Sequence, residues 1–339
     1  MENKRIMKPF FELTHWIDSL VVSKKIKLAE NWHIVKLQGD ASARRYFRIV
    51  SSSISYIVAQ SPLGKIDNTV FCDIAKHWLA QGVNVPQVYA LDEKNGFMLV
   101  QDLGTTHLFD ISDNTDSYAY YCQAIDQLMC VQKIQSNALP VFDRSFLLRE
   151  MMLFKDWFIE QHLMLKAPEC VLATFEVLIQ SALTQPQLVM HRDYHSKNLL
   201  ISNDDISIID FQDAVVGPIA YDLVSLLRDC YVSLTDTQLT TLLNYYLALL
   251  NESDLLSQNV SKEQFMVWFD LIGLQRHLKV LGLFVRLSVQ EGKDGYLNDL
   301  PRVYHYVEKV SAKYPQLQPF YQWLKLEVEP QVMQQRWYQ

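Results

Sequence analysis

The hydrophobic period of this chain changes near residue 101, and that change limits the possible folds more than any other feature. Before it, apolar residues alternate in short runs at 33–37, 45–50, 54–60, 87–91 and 97–101, which read as strands. Gly39-Asp40, Ser51-Ser52-Ser53 and Asp92-Glu93-Lys94-Asn95-Gly96 interrupt them as turns. Helical spacing occurs at 10–22 and at 70–80, the second ending near Gly82, a residue suited to a left-handed cap. After Gln101-Asp102-Leu103-Gly104 the period becomes mainly helical, at 115–135, 145–165, 168–183, 219–231, 236–250, 261–287 and 316–327. One exception stands inside that region. Leu199-Leu200-Ile201 and Ile206-Ser207-Ile208-Ile209 flank Ser202-Asn203-Asp204-Asp205 and predict a small hairpin. The expectation is an α+β chain with a small antiparallel sheet in residues 1–103 and a larger helical part in 104–339.

Charge and cysteine usage narrow the function classes. A formal net charge of −7 argues against a nucleic-acid binder, which needs a clustered basic surface. Cys72, Cys122, Cys130, Cys170 and Cys230 are scattered, odd in number, and lack the close pairs of a structural zinc site. They read as reduced thiols. Glu12, His15 and Asp18 interrupt the first apolar segment, and no apolar run is long enough to span a bilayer. The expected setting is therefore cytoplasmic, with no nucleic-acid, membrane or obligate protein partner.

The chemistry concentrates in His191-Arg192-Asp193-Tyr194-His195-Ser196-Lys197-Asn198 and, beyond the hairpin, Asp210-Phe211-Gln212-Asp213. Reversal of the chain in the hairpin returns Asp210 toward Asn198, so Asp193, Asn198 and Asp210 can converge. Phosphoryl transfer needs that set: oxygen ligands for magnesium, and a carboxylate outside the metal that orients a hydroxyl and takes its proton. Taken singly, Asp193 also suits a loop cap and Asn198 a turn. Their spacing together with the following Asp-Phe pair is far more specific.

These residues resemble the aminoglycoside phosphotransferase and choline kinase superfamily, relatives of protein kinases that carry His where His195 stands. More narrowly, the chain is similar to bacterial cell-wall amino-sugar kinases that phosphorylate N-acetylmuramate and N-acetylglucosamine at the anomeric hydroxyl. The similarity runs through Gly39-Asp40-Ala41-Ser42, Arg44-Arg45-Tyr46-Phe47-Arg48, Asp102-Leu103-Gly104 and Gln212-Asp213-Ala214-Val215-Val216-Gly217-Pro218. It continues through Tyr221-Asp222-Leu223-Val224-Ser225-Leu226-Leu227-Arg228-Asp229, Gly273-Leu274-Gln275-Arg276-His277-Leu278-Lys279 and Tyr296-Leu297-Asn298-Asp299-Leu300-Pro301. The resemblance implies a two-lobed protein-kinase-like fold, with nucleotide bound by residues 1–103 and catalysis and acceptor binding in 104–339. It implies ATP as phosphoryl donor, Mg2+ as cofactor and a role in cell-wall recycling. Asp193 would be the catalytic carboxylate, and Asn198 and Asp210 the metal ligands. His191, Arg192, His195 and Asp222 would support the loop, Asp222 by bracing it through hydrogen bonds. A kinase for an aminoglycoside, choline or another small alcohol shares most of these residues and stays open.

On the nucleotide side, Gly39-Asp40-Ala41-Ser42-Ala43 holds one glycine, so it is no standard glycine-rich loop, although Ser42 and backbone amides can approach phosphate. Ile54-Ser55-Tyr56-Ile57-Val58-Ala59-Gln60 lacks the strand lysine of protein kinases, which weighs against that activity. Arg44 or Arg45 is expected to supply the missing charge, while alternation along a strand prevents Arg44, Arg45 and Arg48 from all facing one way. Gln101 and Leu103 are the expected contacts of the nucleobase, and Asp102 can equally cap a turn. On the acceptor side Asp213, Arg276 and Lys279 are candidates, either cation being able to pair with the lactyl carboxylate of N-acetylmuramate. Glu150, Arg228 and Gln275 offer further polar groups, and Phe154-Trp157-Phe158 reads as core packing rather than a sugar platform.

Overall fold

The computed structural model describes residues 3–37, 43–52, 54–114, 117–135, 138–256 and 260–338, with side chains from residue 11 onward. The expected Ser42, with most of the loop around it, lies outside the described residues. The chain forms two compact units, residues 1–105 with 200–212, and residues 106–199 with 213–339. The fold is α+β, with the antiparallel sheet in the N-terminal region and helices predominating after it.

The first unit is built on the sheet. Strands β1 (His33–Lys36), β2 (Arg45–Val50), β3 (Ser55–Gln60), β4 (Val88–Asp92) and β5 (Phe97–Gln101) pair in the order β1-β2-β3-β5-β4. All neighbours are antiparallel, with Phe47 opposite Val58 and Val58 opposite Leu99, and the β4–β5 register shifts by a bulge between Val88 and Ala90. Alternation therefore sends Phe47, Ile49, Tyr56, Val58, Phe97 and Leu99 into one core. Helix α1 (Asn3–Val22) covers it with Leu13, Ile17 and Leu20, which share one helical face.

Helix α2 (Asn68–Ala80) starts at Asp67, whose carboxylate accepts from Thr69 N at 2.8 Å. Its Phe71 and Trp78 pack against Phe211 as tilted ring pairs with centroids 4.5 and 5.5 Å apart. The hairpin β7 (Leu199–Ser202) and β8 (Asp205–Ile208) turns at Asn203 (φ 51°) and Asp204 (φ 65°), the paired left-handed residues of a type I′ turn. Residues 200–212 join the sheet-bearing unit through Phe211 and through Asn84. The Asn84 side chain donates to Ile206 O, and the Asn84 backbone carbonyl accepts from Ile208 N, both at 2.8 Å.

The second unit is helical. It contains α3 (Ser117–Lys133), α4 (Arg144–Leu153), α5 (Glu169–Thr184), α6 (Tyr221–Leu227), α7 (Asp236–Glu252), α8 (Lys262–Glu291), α9 (Leu300–Lys313) and α10 (Gln318–Trp323). Two strands, β6 (Gln187–Met190) and β9 (Val215–Pro218), pair antiparallel with Met190 opposite Val215. The 30-residue α8 is the axis of the unit. Ser261 caps its start by accepting from Gln264 N, and Gly292 ends it at φ 66°.

Helix α8 crosses α4 with almost no space between backbones. A Cβ placed on Gly282 would lie 2.1 Å from Leu153 C and O and 2.5 Å from Phe154 N. At that crossing α4 gives way to a wider π-helical stretch, Phe154–His162. Phe154 and Phe158 are fully buried there and stack at 5.6 Å, as core residues.

Candidate active site

The loop 191–198 leaves β6 and is held from beneath by two buried carboxylates. Asp222, at the start of α6, accepts from His191 N at 2.6 Å and Arg192 N at 2.9 Å. These bonds fix the turn in which Arg192 adopts φ 78°, a conformation costly for a side chain of its size. Burial raises the Asp222 carboxyl to about 6, against the pull of His191 and the two amides. Asp229, just beyond α6, accepts from Ser196 N at 2.8 Å and Tyr231 N at 2.9 Å. One carboxylate secures the front of the loop and the other its middle. The loop is further pinned by Tyr194, whose hydroxyl donates to Ala124 O at 2.7 Å, and by a 2.7 Å bond between His107 Nδ1 and Lys197 O.

Inside this frame, Asp193 N donates to His191 Nδ1 at 3.3 Å, and Asn198 Nδ2 donates to Asp193 O at 3.0 Å. With its nitrogen so engaged, the Asn198 amide presents Oδ1 as its acceptor. His195 packs edge-on to Tyr231 at 5.1 Å, and burial lowers its imidazole below the ordinary range. It is placed as a packed neutral ring.

The Asp193 carboxylate is 40 % exposed, whereas the charges around it are enclosed. Lys279 Nζ, on α8, lies 3.8 Å from Asp193 Oδ1 and 3.5 Å from Glu150 Oε1 on α4. The same Glu150 receives Arg192 Nη2 at 2.9 Å and Gln275 Nε2 at 3.2 Å. Burial opposes the Asp193 charge, but the cations Lys279, Arg276 and Arg192 outweigh it and hold the carboxyl well below the usual range. Arg276 is 2 % exposed, and its Nε and Nη1 have no hydrogen-bond partner among the described residues. Arg228 pairs with Asp270 at 2.6 Å through Nη2, while its Nη1 is likewise without a hydrogen-bond partner among the described residues.

Asp213 is exposed, and its carbonyl accepts from Arg192 Nη1 at 3.4 Å. Asp210 belongs to the first unit, where it sits exposed at φ 64° and accepts from Gln212 Nε2 at 2.8 Å. In that unit Arg44 is buried against Ser61 Oγ (3.2 Å) and Asn68 Oδ1 (3.3 Å), whereas Arg45 is exposed on β2. Arg48 clamps Asp102 at 2.7 Å and Gly104 O at 3.0 Å, and Asp102 accepts from Gly104 N at 3.0 Å as a turn cap. The Gln101 amide donates to Gln87 O at 2.8 Å, and Leu103 is buried.

Sequence reasoning assigned no role to Asp229. Its signal was a second acid closing the apolar run Leu223-Val224-Ser225-Leu226-Leu227 that Asp222 opens. It also grouped Glu150 only with polar groups around an acceptor, because nothing in linear order links α4 to α8.

Magnesium takes hard oxygen donors, and the Asn198 carbonyl oxygen and the Asp210 carboxylate are of that kind. No group of three His, Cys, Asp or Glu side chains able to hold a metal occurs among the described residues. The Asn198 oxygen and the Asp210 carboxylate are therefore, each by itself, donors of the kind that magnesium takes alongside phosphate oxygens and water.

Comparison with known proteins places the chain among its relatives. The model of the phosphotransferase enzyme family matches residues 33–256. A protein of Pseudomonas aeruginosa named N-acetylmuramate/N-acetylglucosamine kinase is 35 % identical over 319 residues, covering 91 % of this chain and 94 % of that one. The solved structure of choline kinase LicA from Streptococcus pneumoniae has a TM-score of 0.61 at 15 % identity, covering 88 % of this chain and 99 % of its own. An ADP-bound aminoglycoside phosphotransferase, APH(2'')-Ib, has a TM-score of 0.53 at 14 % identity, covering 84 % and 95 %. No helix among the described residues is long and apolar enough to cross a membrane.

Proposed function

The chain belongs to the phosphotransferase enzyme family, and from that membership we propose that it is an ATP-dependent kinase of N-acetylmuramate and N-acetylglucosamine that forms the sugar 1-phosphate. The observation that carries the acceptor class is the 35 % identity, across 91 % of the chain, to a kinase named for those two sugars. A likeness at 14–15 % identity to kinases of other acceptors speaks for the fold alone.

In this reading Asp193 orients the anomeric hydroxyl and accepts its proton as that oxygen attacks the terminal phosphorus of ATP. The bond to the leaving ADP oxygen breaks in line. The support is its partial exposure, its ionised state, and a loop fixed at its front by Asp222 and at its middle by Asp229. Asn198 and Asp210 would hold magnesium, which when bound offsets charge on the phosphates. Arg45, exposed where Arg44 is already engaged, would supply cationic contact to the nucleotide. Leu103 and Gln101, whose backbone N–H is on Gln87 O, would meet the nucleobase. Arg276 and Asp213 would face the acceptor.

The test is nucleotide consumption by the purified chain with Mg-ATP against both amino sugars, choline and an aminoglycoside, for wild type and Arg45→Gln. Turnover of the amino sugars alone, with nucleotide KM raised in the variant, is the expected result. Turnover confined to choline or the aminoglycoside would overturn the acceptor assignment, and an unchanged nucleotide KM would remove Arg45 from its role.

A further inference from the structure

Lys279 is a buried cation shared by two carboxylates, and it stands where the sequence alone would have placed a contact for the acceptor. Its side chain is 8 % exposed, that of Glu150 is 7 % exposed, and that of Asp193 is 40 % exposed. The carboxylate is therefore the member of the group open to an incoming molecule, and the ammonium is enclosed. An enclosed ammonium next to two carboxylates gains nothing by reaching for a third. Both separations, 3.5 Å to Glu150 and 3.8 Å to Asp193, are ion-pair distances, too long for good hydrogen bonds. Lys279 thus acts on Asp193 by charge and placement rather than as a proton donor.

We infer that Lys279, anchored by Glu150, is the positioning residue that holds the Asp193 carboxylate toward the acceptor hydroxyl. The inference rests on the reading above, in which Asp193 takes the acceptor's proton. Glu150 is suited to the anchor because its other bonds, to Arg192 and Gln275, fix it from the loop and from α8. The opposite charges of Glu150, Asp193, Lys279 and Arg192 offset one another, which lets the enclosed Lys279 and Glu150 stay charged. The titratable groups whose electrostatics reach Asp193 are Lys279 and Arg276 on α8, Arg192 and His195 on its own loop, and Tyr221 and Asp222 on α6. Of these, Lys279 is the one in ion-pair contact with the carboxylate.

The close crossing at Gly282 gives this arrangement its precision. Gly282 lies one turn beyond Lys279 on α8, and Leu153 one turn beyond Glu150 on α4. Backbone contact at the glycine sets the distance across which the lysine meets its anchor.

The experiment compares wild type, Lys279→Met, Lys279→Arg and Glu150→Gln by steady-state kinetics and by crystal structures of the wild-type and Met proteins. A displaced carboxylate should lower kcat of Lys279→Met on the order of 10²-fold, with KM for Mg-ATP and for the sugar each within threefold. Lys279→Arg should recover part of that loss, and Glu150→Gln should lose less than the Met variant. The crystal structure of Lys279→Met should show the Asp193 side chain turned from its wild-type rotamer. A raised sugar KM with unchanged kcat would overturn the inference and return Lys279 to acceptor binding. An unchanged Asp193 rotamer would overturn it even if no amino sugar is turned over. In that last case the absence of wild-type turnover, not the rotamer, refutes the proposed function. If the Met variant does not fold, an Arg variant with kcat as low as that of Asp193→Asn would count against the inference.

Discussion

Replacing Gly282 with Ala adds one methyl group at the place where this fold has least room for it. The new carbon would stand 2.1 Å from Leu153 C and O and 2.5 Å from Phe154 N, all of them backbone. Ordinary contact needs about 3.5 Å, so the helices must separate by roughly 1 Å or more, because no flexible side chain can yield. Overpacking of this kind costs about 1–3 kcal/mol, and backbone contact places Gly282→Ala toward the upper end. The same displacement lengthens the path between Glu150 and Lys279, so kcat should fall even where the variant is fully folded. The assay is urea unfolding at equilibrium, followed by kinetics well below the midpoint. Gly295→Ala is the control, since a Cβ there meets nothing within 4 Å. If Gly282→Ala unfolds within about 0.5 kcal/mol of wild type, the close crossing is not a constraint and the reasoning fails.

Two further outcomes follow from charges buried in α8. Arg276→Met should lower kcat/KM for N-acetylmuramate about 10- to 100-fold more than for N-acetylglucosamine, because one charged pair to the lactyl carboxylate is lost; an equal loss for both sugars would remove Arg276 from acceptor recognition. His277 is held near 3 by burial and then by Arg276, with its Nε2 bonded to Arg228 O at 2.9 Å. The folded state therefore binds fewer protons than the unfolded chain below the ordinary histidine value of 6.5. Stability should drop as pH falls from there toward 3, by about 2 kcal/mol at pH 5 relative to His277→Gln. Parallel stability curves for the two proteins between pH 7.5 and 5 would contradict the neutral assignment.

Much of the fold was legible because its signals are local. The sheet strands follow alternation and their turns, and the Asn203-Asp204 turn carries its own chemistry, two residues able to adopt positive φ. Strands β6 and β9 were not anticipated, since four residues with only two or three apolar side chains in succession carry no period of their own. Helix α9 was missed too, although Pro301 near its start and Val303, Val307 and Val310 on one face mark it. At the candidate site, the spacing of Asp193 and Asn198 is visible in one short stretch. The contacts of Asp193 with α8, and of α8 with Glu150, depend on a helix crossing that leaves no trace in linear order beyond a single glycine. The attachment of residues 200–212 to the first unit through Asn84 is equally long-range. Within α8, Arg276 and Lys279 read as candidate contacts of an acceptor, and both are buried, as is His277 between them.

Phosphorus NMR of the product made from Mg-ATP and N-acetylglucosamine, by wild type and by Asp193→Asn under single-turnover conditions, reaches furthest into this account. A phosphate resonance coupled to the anomeric proton should grow with the wild-type enzyme. It should be at least about 10²-fold slower with Asp193→Asn, in a protein whose circular dichroism is unchanged. A phosphate on any other hydroxyl, or an equal rate from Asp193→Asn, would contradict it.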